Sequence, residues 1–432
     1  MRTLARDPVA DNLKGLSSAT PTAATAERHG DDFDFTSADD AGNPIVVTLS
    51  RVREAHDAIW AEVAVSRNGS ELYFERINLL SSRRNSVLKT LTERAPDIEW
   101  THLLDPACRQ AIEAIRCGTP AVVLRARPAP PVRHLVTPVL LENEINVIFG
   151  PPGVMKSLLG AVLARLVASQ GELAGLAATR QGPVLILDGE SNPTEWEGRM
   201  YLLGQADGRP TDGLIHYRRL ARSLDAEAAT LKTEASRLGV RLVIVDSFGI
   251  AAGAEPEGAD AAIRLLSTLR SLGPTVTVLL ICHVSQVSAE QKHGATKPYG
   301  SIYVQALGRS IWEARRDEDG GDEVMVGLYH RKCNATKLHP PLAFRFRFEA
   351  DRISVEGGKV EDSPDLLARA SLAKRVSVAL KTGALTVAEL AEHLQASEDT
   401  VRTTIRRMHD RKGPQVTQVG DSRPAKWGLV AR

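Results

Sequence analysis

The sequence predicts an α/β protein organised around a parallel sheet, and two observations support this fold class. Four short apolar runs, each about as long as one strand, are separated by segments with helical periodicity. Strands buried on both faces of a parallel sheet have this composition, and the spacing suits right-handed βαβ crossovers. The first run also passes directly into a Gly/Pro turn and a Lys-Ser pair. The four runs are residues 145–150, 183–190, 242–247 and 276–283.

The composition limits the class of protein and its compartment. The chain has 432 residues, 43% of them hydrophobic and 25% charged, which is typical of a globular protein with two or three domains. A formal net charge of +1 excludes a global attraction to nucleic acid or membrane. No apolar run approaches the roughly 18 residues that span a bilayer, and the N-terminus lacks a secretory apolar segment. The four cysteines form no C-x-x-C pair, so we expect reduced thiols, a cytoplasmic location and no membrane partner.

The remaining patterns divide the chain into five predicted regions. Residues 1–40, rich in Ala, Thr, Asp and Gly, predict a disordered arm. Residues 41–130 begin with period-two alternation and continue with helical spacing, which predicts an N-terminal α+β domain. The parallel-sheet domain occupies residues 131–350. The polar residues 351–371 predict a linker, and residues 372–432 predict a separate small module.

The turn after the first apolar run carries the sharpest chemical signal. Its letters GPPGVMKS, at residues 150–157, are close to the phosphate-binding pattern G-x-x-x-x-G-K-[ST]. In such a loop the backbone N–H groups point at phosphates, the Lys156 ammonium binds β/γ oxygens, and the Ser157 hydroxyl reaches magnesium. Met155 stands where the pattern has its second glycine, and an ordinary strand–turn–helix with a chance Lys-Ser is the alternative. The predicted nucleotide-binding residues are Gly150, Pro151, Pro152, Gly153, Val154, Met155, Lys156, Ser157 and Leu158.

Two later runs end in acidic residues that complete this chemistry. Asp246 ends an apolar run, and a carboxylate at the carboxyl edge of a parallel strand can hold magnesium opposite Ser157; a helix cap is the alternative. Glu190 follows another run and is the candidate for orienting and deprotonating the attacking water. Asp188 is open to a capping or supporting role. The sequence therefore predicts an ATPase that uses ATP and Mg²⁺.

These segments, in this order, resemble the RecA-like P-loop ATPases, specifically the RepA/DnaB-like branch of plasmid and phage replicative helicases, within the AAA family in the broad sense. The similarity covers about residues 140–350 and rests on GPPGVMKS, LILDGE, LVIVDS, LLICH and YHRKCN. The resemblance implies that His283 senses the γ-phosphate and that Arg331 is a basic finger reaching the next subunit's ATP. The family form is close to K-x-R-N, from which this sequence departs, so Lys332 is the alternative finger. A finger of this kind implies a homo-oligomer, commonly a hexameric ring in this family.

The loop after the sensor strand is the predicted single-stranded DNA contact. In RecA-like proteins the corresponding loop, here residues 284–301, faces single strands. Two cations and an aromatic side chain could track phosphates and stack a base, and a solvated surface loop is the alternative. The residues concerned are Lys292, Lys297 and Tyr299.

The C-terminal module has the composition of a duplex-binding domain. Residues 372–432 hold eleven Lys/Arg and six Asp/Glu, so 11 − 6 gives +5. Two amphipathic helical segments followed by two short alternating segments resemble a winged helix-turn-helix, whose second helix enters the major groove. A protein-interaction role is the alternative. The predicted DNA contacts are Arg402, Arg406 and Arg407.

The leading functional hypothesis is a RepA-like replicative helicase or replication initiator of a mobile element. The alternative is an ATP-gated DNA-binding regulator with little turnover, which Met155 and the irregular finger both favour. A strand-exchange protein fits the predicted core but not the basic C-terminal module.

Overall fold

The structure analysed is a computed structural model that describes residues 25–29, 32–117, 123–126, 128–211, 213–253, 258–284, 298, 302–317, 323–421 and 423–430. The chain divides into two compact units, Met1–Pro128 and Ala129–Arg432. Among the described helices, none combines the length and apolar character that a membrane crossing requires.

The first unit is a five-stranded antiparallel sheet with two helices. The strands follow one another in chain order, and every neighbouring pair is antiparallel. Alternate strand residues such as Ile45, Val47 and Leu49 are buried, because period-two alternation places them on the face that the helices cover. The elements are β1 Thr25–His29, β2 Asp32–Ala38, β3 Pro44–Ala55, β4 Ala58–Arg67, β5 Ser70–Asn78, α1 Arg83–Arg94 and α2 Trp100–Cys117.

The sheet begins earlier in the chain than the sequence suggested. Residues 1–40 were expected to be a disordered arm, whereas β1 and β2 both lie within that range. Strand β2 contributes two buried side chains, Phe33 and Phe35, to the core of this unit. The alternation Asp-Phe-Asp-Phe is the signal for this strand, but it is short and carries only two apolar residues. The expected boundary at residue 41 is therefore wrong.

The second unit contains a nine-stranded mixed sheet, which confirms the α/β class. The sheet order is β12-β11-β13-β14-β8-β15-β16-β17-β18, with parallel pairing from β12 to β15 and antiparallel pairing beyond it. The strands are β8 Ile145–Phe149, β11 Val184–Asp188, β12 Ile215–Arg219, β13 Leu242–Asp246, β14 Thr277–Cys282, β15 Ser310–Arg316, β16 Glu323–Cys333, β17 Leu342–Phe348 and β18 Ile353–Gly358. A smaller sheet contains β6 His134–Thr137, β7 Leu140–Leu141, β9 Glu172–Leu173 and β10 Leu176–Ala178.

Helices cover both faces of the parallel part of this sheet. One apolar core contains Ile148 and Ile186 with most of the first helix after β8, and the other contains Val147 and Leu187 with helices from the opposite face. This two-sided burial explains why the central strands are almost uninterrupted apolar runs. The helices are α3 Lys156–Ser169, α4 Pro193–Asp207, α5 Ala228–Leu238, α6 Phe248–Ala252, α7 Ala259–Ser271 and α8 Ile302–Leu307, with a 3-10 turn at Leu224–Glu227.

The segment expected to be a linker, residues 351–371, is largely folded onto the large sheet. It forms β18, a 3-10 turn at Val360–Asp362 and helix α9, Pro364–Arg369. Leu366 in α9 is fully buried, and its carbonyl accepts a hydrogen bond from the Tyr329 hydroxyl. The linker expectation was wrong because the few apolar residues here are spaced for one sheet face and one helical turn, which the polar composition conceals.

The last segment forms three helices and a three-stranded antiparallel sheet. The elements are α10 Leu372–Ala379, α11 Val387–His393, α12 Glu398–His409, β19 Leu385–Thr386, β20 Val416–Val419 and β21 Lys426–Leu429, with sheet order β19-β21-β20. Each helix begins at a hydroxyl cap, and Thr386 with Glu389 makes a reciprocal capping box. This module is attached to the larger sheet domain through Glu361, which pairs with Lys374 and Lys381.

Candidate functional site

The phosphate-binding loop lies at the carboxyl edge of the parallel sheet. Strand β8 ends at Phe149, and helix α3 begins at Lys156, so the loop occupies residues 150–155. A Cβ atom on Gly150 would lie 2.4 Å from the Ala314 carbonyl oxygen of neighbouring strand β15. Only glycine fits that position, because the loop turns directly against the backbone of the next strand.

Met155 takes the backbone conformation that glycine usually supplies in this loop. Its φ is +62°, in the left-handed region, and it immediately precedes helix α3. A left-handed conformation costs a residue with a Cβ about 1 kcal/mol relative to glycine. The Met155 side chain is half-buried, packs against the apolar core and forms part of the cleft wall. The loop therefore keeps the turn geometry of the phosphate-binding pattern despite the substitution.

Lys156 is buried beneath the loop with its ammonium facing the cleft. The Nζ atom donates to the Gly150 carbonyl at 3.0 Å and to the Pro151 carbonyl at 2.8 Å. Burial lowers the pKa of Lys156, while the nearby Asp246 and Glu190 carboxylates oppose that shift. A cation held by two weak neutral acceptors in a desolvated position is well placed to bind phosphate oxygens instead.

Asp246 and Ser157 form the candidate magnesium site. The Ser157 side chain hydrogen-bonds to Asp246, a residue that is only 4% exposed. Burial raises the pKa of Asp246 to about 6, and the Glu190 and Asp188 carboxylates add to the increase. A buried carboxylate beside other carboxylates is stabilised by a divalent cation, and hydroxyl and carboxylate oxygens are the donors that Mg²⁺ prefers. The residues therefore fit the ion.

Glu190 lies across the cleft and is held by two polar side chains. Its Oε1 accepts a hydrogen bond from the Ser247 hydroxyl and lies 3.4 Å from His283 Nε2. The contact with His283 lowers the pKa of Glu190, so the carboxylate is ionised and able to accept a proton from water. His283 directly follows β14, as expected for the sensor position, and it contacts the predicted base itself.

Asp188 has a supporting role rather than a position in the cleft. It is fully buried, and its carboxylate accepts hydrogen bonds from the backbone N–H of Glu190 at 2.8 Å and from Trp196 Nε1 at 2.9 Å. These bonds fix the turn that carries Glu190 and the first part of helix α4. This arrangement agrees with the structural alternative given for Asp188.

Sequence reasoning did not identify three residues that line the same cleft, Arg199, Phe348 and Ile353. Arg199 extends from helix α4, and Phe348, at the end of β17, is 37% exposed at the outer wall beside Ile353. The cleft has a volume of about 500 Å³ and is also lined by Lys156, Ser157, Glu190, Asp246 and His283. An arginine on an amphipathic helix and a Phe within an alternating strand give no motif. Their contribution arises only from the tertiary fold.

The two candidate finger cations are both engaged within their own chain. Arg331 Nε lies 2.6 Å from Glu313 Oε2, and Arg331 Nη2 donates to the Arg369 carbonyl at 3.2 Å. Lys332 Nζ donates to the Ala306 carbonyl at 2.8 Å and to two neighbouring carbonyls at the end of helix α8. The structure places neither cation in the cleft around Lys156.

The predicted DNA contacts divide into two groups. Lys292, Lys297 and Tyr299 lie outside the described residues. Arg402, Arg406 and Arg407 are exposed on helix α12, whose opposite face buries apolar residues of the small module. Arg402 and Arg406 make ion pairs with carboxylates of the same helix and its C-cap. These pairs are exposed and 3.5–3.6 Å long, so they compete only weakly with contacts to a ligand.

A match to a family model supports the assignment of the cleft. The family model described as "AAA domain" matches residues 115–289, a range that contains the phosphate-binding loop, Glu190, Asp246 and His283. The fold is similar to the crystal structure of a KaiC-like protein from the hyperthermophilic archaeon Pyrococcus horikoshii OT3, with 15% identity and a TM-score of 0.37 over 52% of this chain and 99% of that chain. The matched segment and the geometry of the loop together support a P-loop ATPase.

Proposed function

We propose that this chain binds and hydrolyses ATP in its P-loop domain, and that the bound nucleotide controls the affinity of the C-terminal module for duplex DNA. One observation carries the ATP proposal. A loop that can cradle phosphates, a buried ammonium, a buried carboxyl with a raised pKa and a second, ionised carboxylate converge in one cleft at the edge of a parallel sheet.

Each residue of the cleft has a distinct part in hydrolysis. A bound Mg²⁺, held by Ser157 and Asp246, would neutralise charge on the β- and γ-phosphate oxygens. Lys156 exchanges its carbonyl acceptors for phosphate oxygens. Glu190 orients a water molecule whose oxygen attacks the γ-phosphorus, and it accepts the proton released as the bond to the β-phosphate oxygen breaks. The products are ADP and inorganic phosphate.

The DNA proposal depends on the shape and charge of the C-terminal module. Three helices followed by a short antiparallel hairpin have the element order of a winged helix-turn-helix, in which α12 would be the recognition helix. Three exposed arginines on α12 and a module charge of +5 favour contact with phosphates.

Contacts between the module and the ATPase core favour a nucleotide-controlled switch. Helix α9 leads into the module, and its last carbonyl, at Arg369, binds Arg331 of the central sheet. Asp365, Ala368 and Arg369 of α9 also line a second cleft, about 690 Å³ in volume, together with Pro151–Val154 and residues 315–317. The proposed switch has the phosphate-binding loop act across this cleft on the helix that precedes the module.

A replicative helicase of the RepA kind is the second candidate, based on the order of the sequence motifs and the basic loop at residues 284–301. A helicase must turn over ATP rapidly in the presence of single strands and separate a forked duplex. A switch needs only slow turnover and a difference in duplex affinity between nucleotide states.

One set of measurements tests the proposal. Calorimetry should detect Mg²⁺-dependent ATP binding that is lost in Lys156→Ala and retained in the surface control Lys89→Ala. Fluorescence anisotropy with a labelled 30-base-pair duplex should give different affinities with ADP and with a slowly hydrolysed ATP analogue. Absence of nucleotide binding in the unmodified chain would overturn the ATPase, and equal duplex affinities would overturn the switch. Unwinding of a forked duplex would favour the helicase.

A further inference from the structure

The cations of strand β16 are too firmly engaged to act on another subunit's nucleotide. Glu313 is fully buried, and its carboxylate binds both Arg331 and Arg315, each at 2.6 Å. Withdrawal of Arg331 would take a paired cation away from a carboxylate that has no access to solvent, which is strongly unfavourable. The Lys332 ammonium donates hydrogen bonds to three carbonyl groups at the end of helix α8.

Arg199, in contrast, extends from helix α4 into the lining of the nucleotide cleft. Its Nη1 atom is shielded from solvent and has no hydrogen-bond partner among the described residues. The other terminal nitrogen, Nη2, lies 3.3 Å from the exposed Glu195 carboxylate, and the guanidinium lies over the Trp196 ring at 5.2 Å. A shielded cationic donor without an acceptor is destabilising, and a phosphate oxygen bound in the cleft would supply the acceptor that this guanidinium lacks.

The position of Arg199 is fixed by the same network that fixes the predicted base. Asp188 binds the backbone N–H of Glu190 and the Trp196 indole, and Trp196 supports the guanidinium. The charge of Arg199 also acts on Asp246 across the cleft. Lys156 and Arg199 are the lysine and the arginine in the described lining, and they stand against two carboxyl groups, Glu190 and Asp246.

We propose that Arg199 binds the terminal phosphate of ATP within the same chain and neutralises the charge that develops as the γ-phosphate is transferred to water. The inference rests on the ATPase function proposed above. It implies that one chain contains all the charges needed for hydrolysis, without a cation from a neighbouring subunit. The reaction remains the attack of water on the γ-phosphorus, with the proton passing to Glu190 and ADP leaving.

Removal of the guanidinium should affect the triphosphate and the reaction more than the diphosphate. An arginine that stabilises phosphoryl transfer contributes about 10³–10⁵ to the rate in other ATPases and GTPases. We expect Arg199→Ala to lower kcat at least about a hundredfold and to weaken binding of a slowly hydrolysed ATP analogue more than binding of ADP. Arg199→Lys, which keeps the charge but not the planar fork, should retain part of the rate. Arg237→Ala, on the exposed surface of α5, is the matched control.

A mixing experiment separates action within one chain from action between chains. Arg199→Ala chains should be mixed with Lys156→Ala chains, which keep Arg199 but lack the essential ammonium. If Arg199 acts only within its own chain, the mixture has no more activity than its components. Recovery of activity on mixing, or an Arg199→Ala protein with normal kcat and an unchanged ratio of ATP-analogue to ADP affinity, would overturn the inference. Failure of the unmodified chain to bind ATP would instead remove the proposed function itself.

Discussion

Replacement of Asp246 by asparagine should stabilise the protein while removing its response to magnesium. Asp246 is 4% exposed, and the pKa of its carboxyl is raised from 3.8 to about 6. A raised pKa in the folded state means that folding favours the protonated form, so stability is lost as the pH rises from about 3.8 through 6. At pH 7 the ionised Asp246 therefore costs about 2.2 × 1.36, or about 3 kcal/mol. Asparagine has nearly the same shape and keeps an oxygen that can accept from Ser157.

Urea denaturation in the presence of a chelator measures this difference directly. We expect Asp246→Asn to exceed the unmodified protein by about 2–3 kcal/mol in free energy of unfolding at pH 7, and by about 1 kcal/mol at pH 4.5. With Mg²⁺ and ADP added, the unmodified protein should gain stability and the variant should gain much less, because the ion has lost a charged ligand. A variant that is no more stable than the unmodified protein at pH 7, or a difference that does not decrease in acid, would refute the reasoning.

Three further outcomes are expected. Met155→Gly should tighten MgATP binding in calorimetry. It should change the free energy of unfolding by less than about 1 kcal/mol, since the relief of the left-handed backbone is offset by lost side-chain packing. Weaker MgATP binding would show that the Met155 side chain helps to form the site. Burial lowers the pKa of His330 to about 4, and its Nδ1 accepts a hydrogen bond from the backbone N–H of His339. Because folding disfavours the protonated imidazole, the unmodified protein should lose about 2 kcal/mol more stability than His330→Gln between pH 7 and pH 4.5. Parallel pH profiles of the free energy of unfolding would contradict this. Glu361→Gln should speed proteolytic release of the C-terminal module, because it breaks the ion pairs with Lys374 and Lys381. The surface variant Glu93→Gln is the control. Equal cleavage rates of the two variants would show that other contacts hold the module.

The parts of the site that the sequence predicts are those encoded by short, contiguous motifs. The turn at residues 150–157 and the strand ending at Asp246 each combine a buried apolar run with a polar residue at its end, so fold and chemistry are read from one segment. The order of these strands in the sheet is not contained in the motifs. Nevertheless, the parallel class predicts that their carboxyl ends share an edge, and the structure places Lys156, Glu190 and Asp246 around one cleft.

The parts that the sequence does not predict depend on pairing between distant segments. Arg331 resembles a free basic finger until strand register places it beside Glu313, a residue with no motif of its own. Arg199 and Phe348 are separated by roughly 150 residues in the chain. They line the same cleft only because the β17–β18 hairpin packs near helix α4. Strand β2 was missed because its core contribution is limited to Phe33 and Phe35.

Three locally unfavourable features occur together in the lining of the nucleotide cleft. Met155 has a left-handed backbone, Asp246 is a buried carboxyl with a raised pKa, and Arg199 has a shielded donor without a partner among the described residues. Each feature costs on the order of 1–3 kcal/mol, and all three line one cavity. Proteins tend to break local rules at functional sites, and under the proposed function a magnesium-bound triphosphate would relieve the charge at Asp246 and provide acceptors for Arg199.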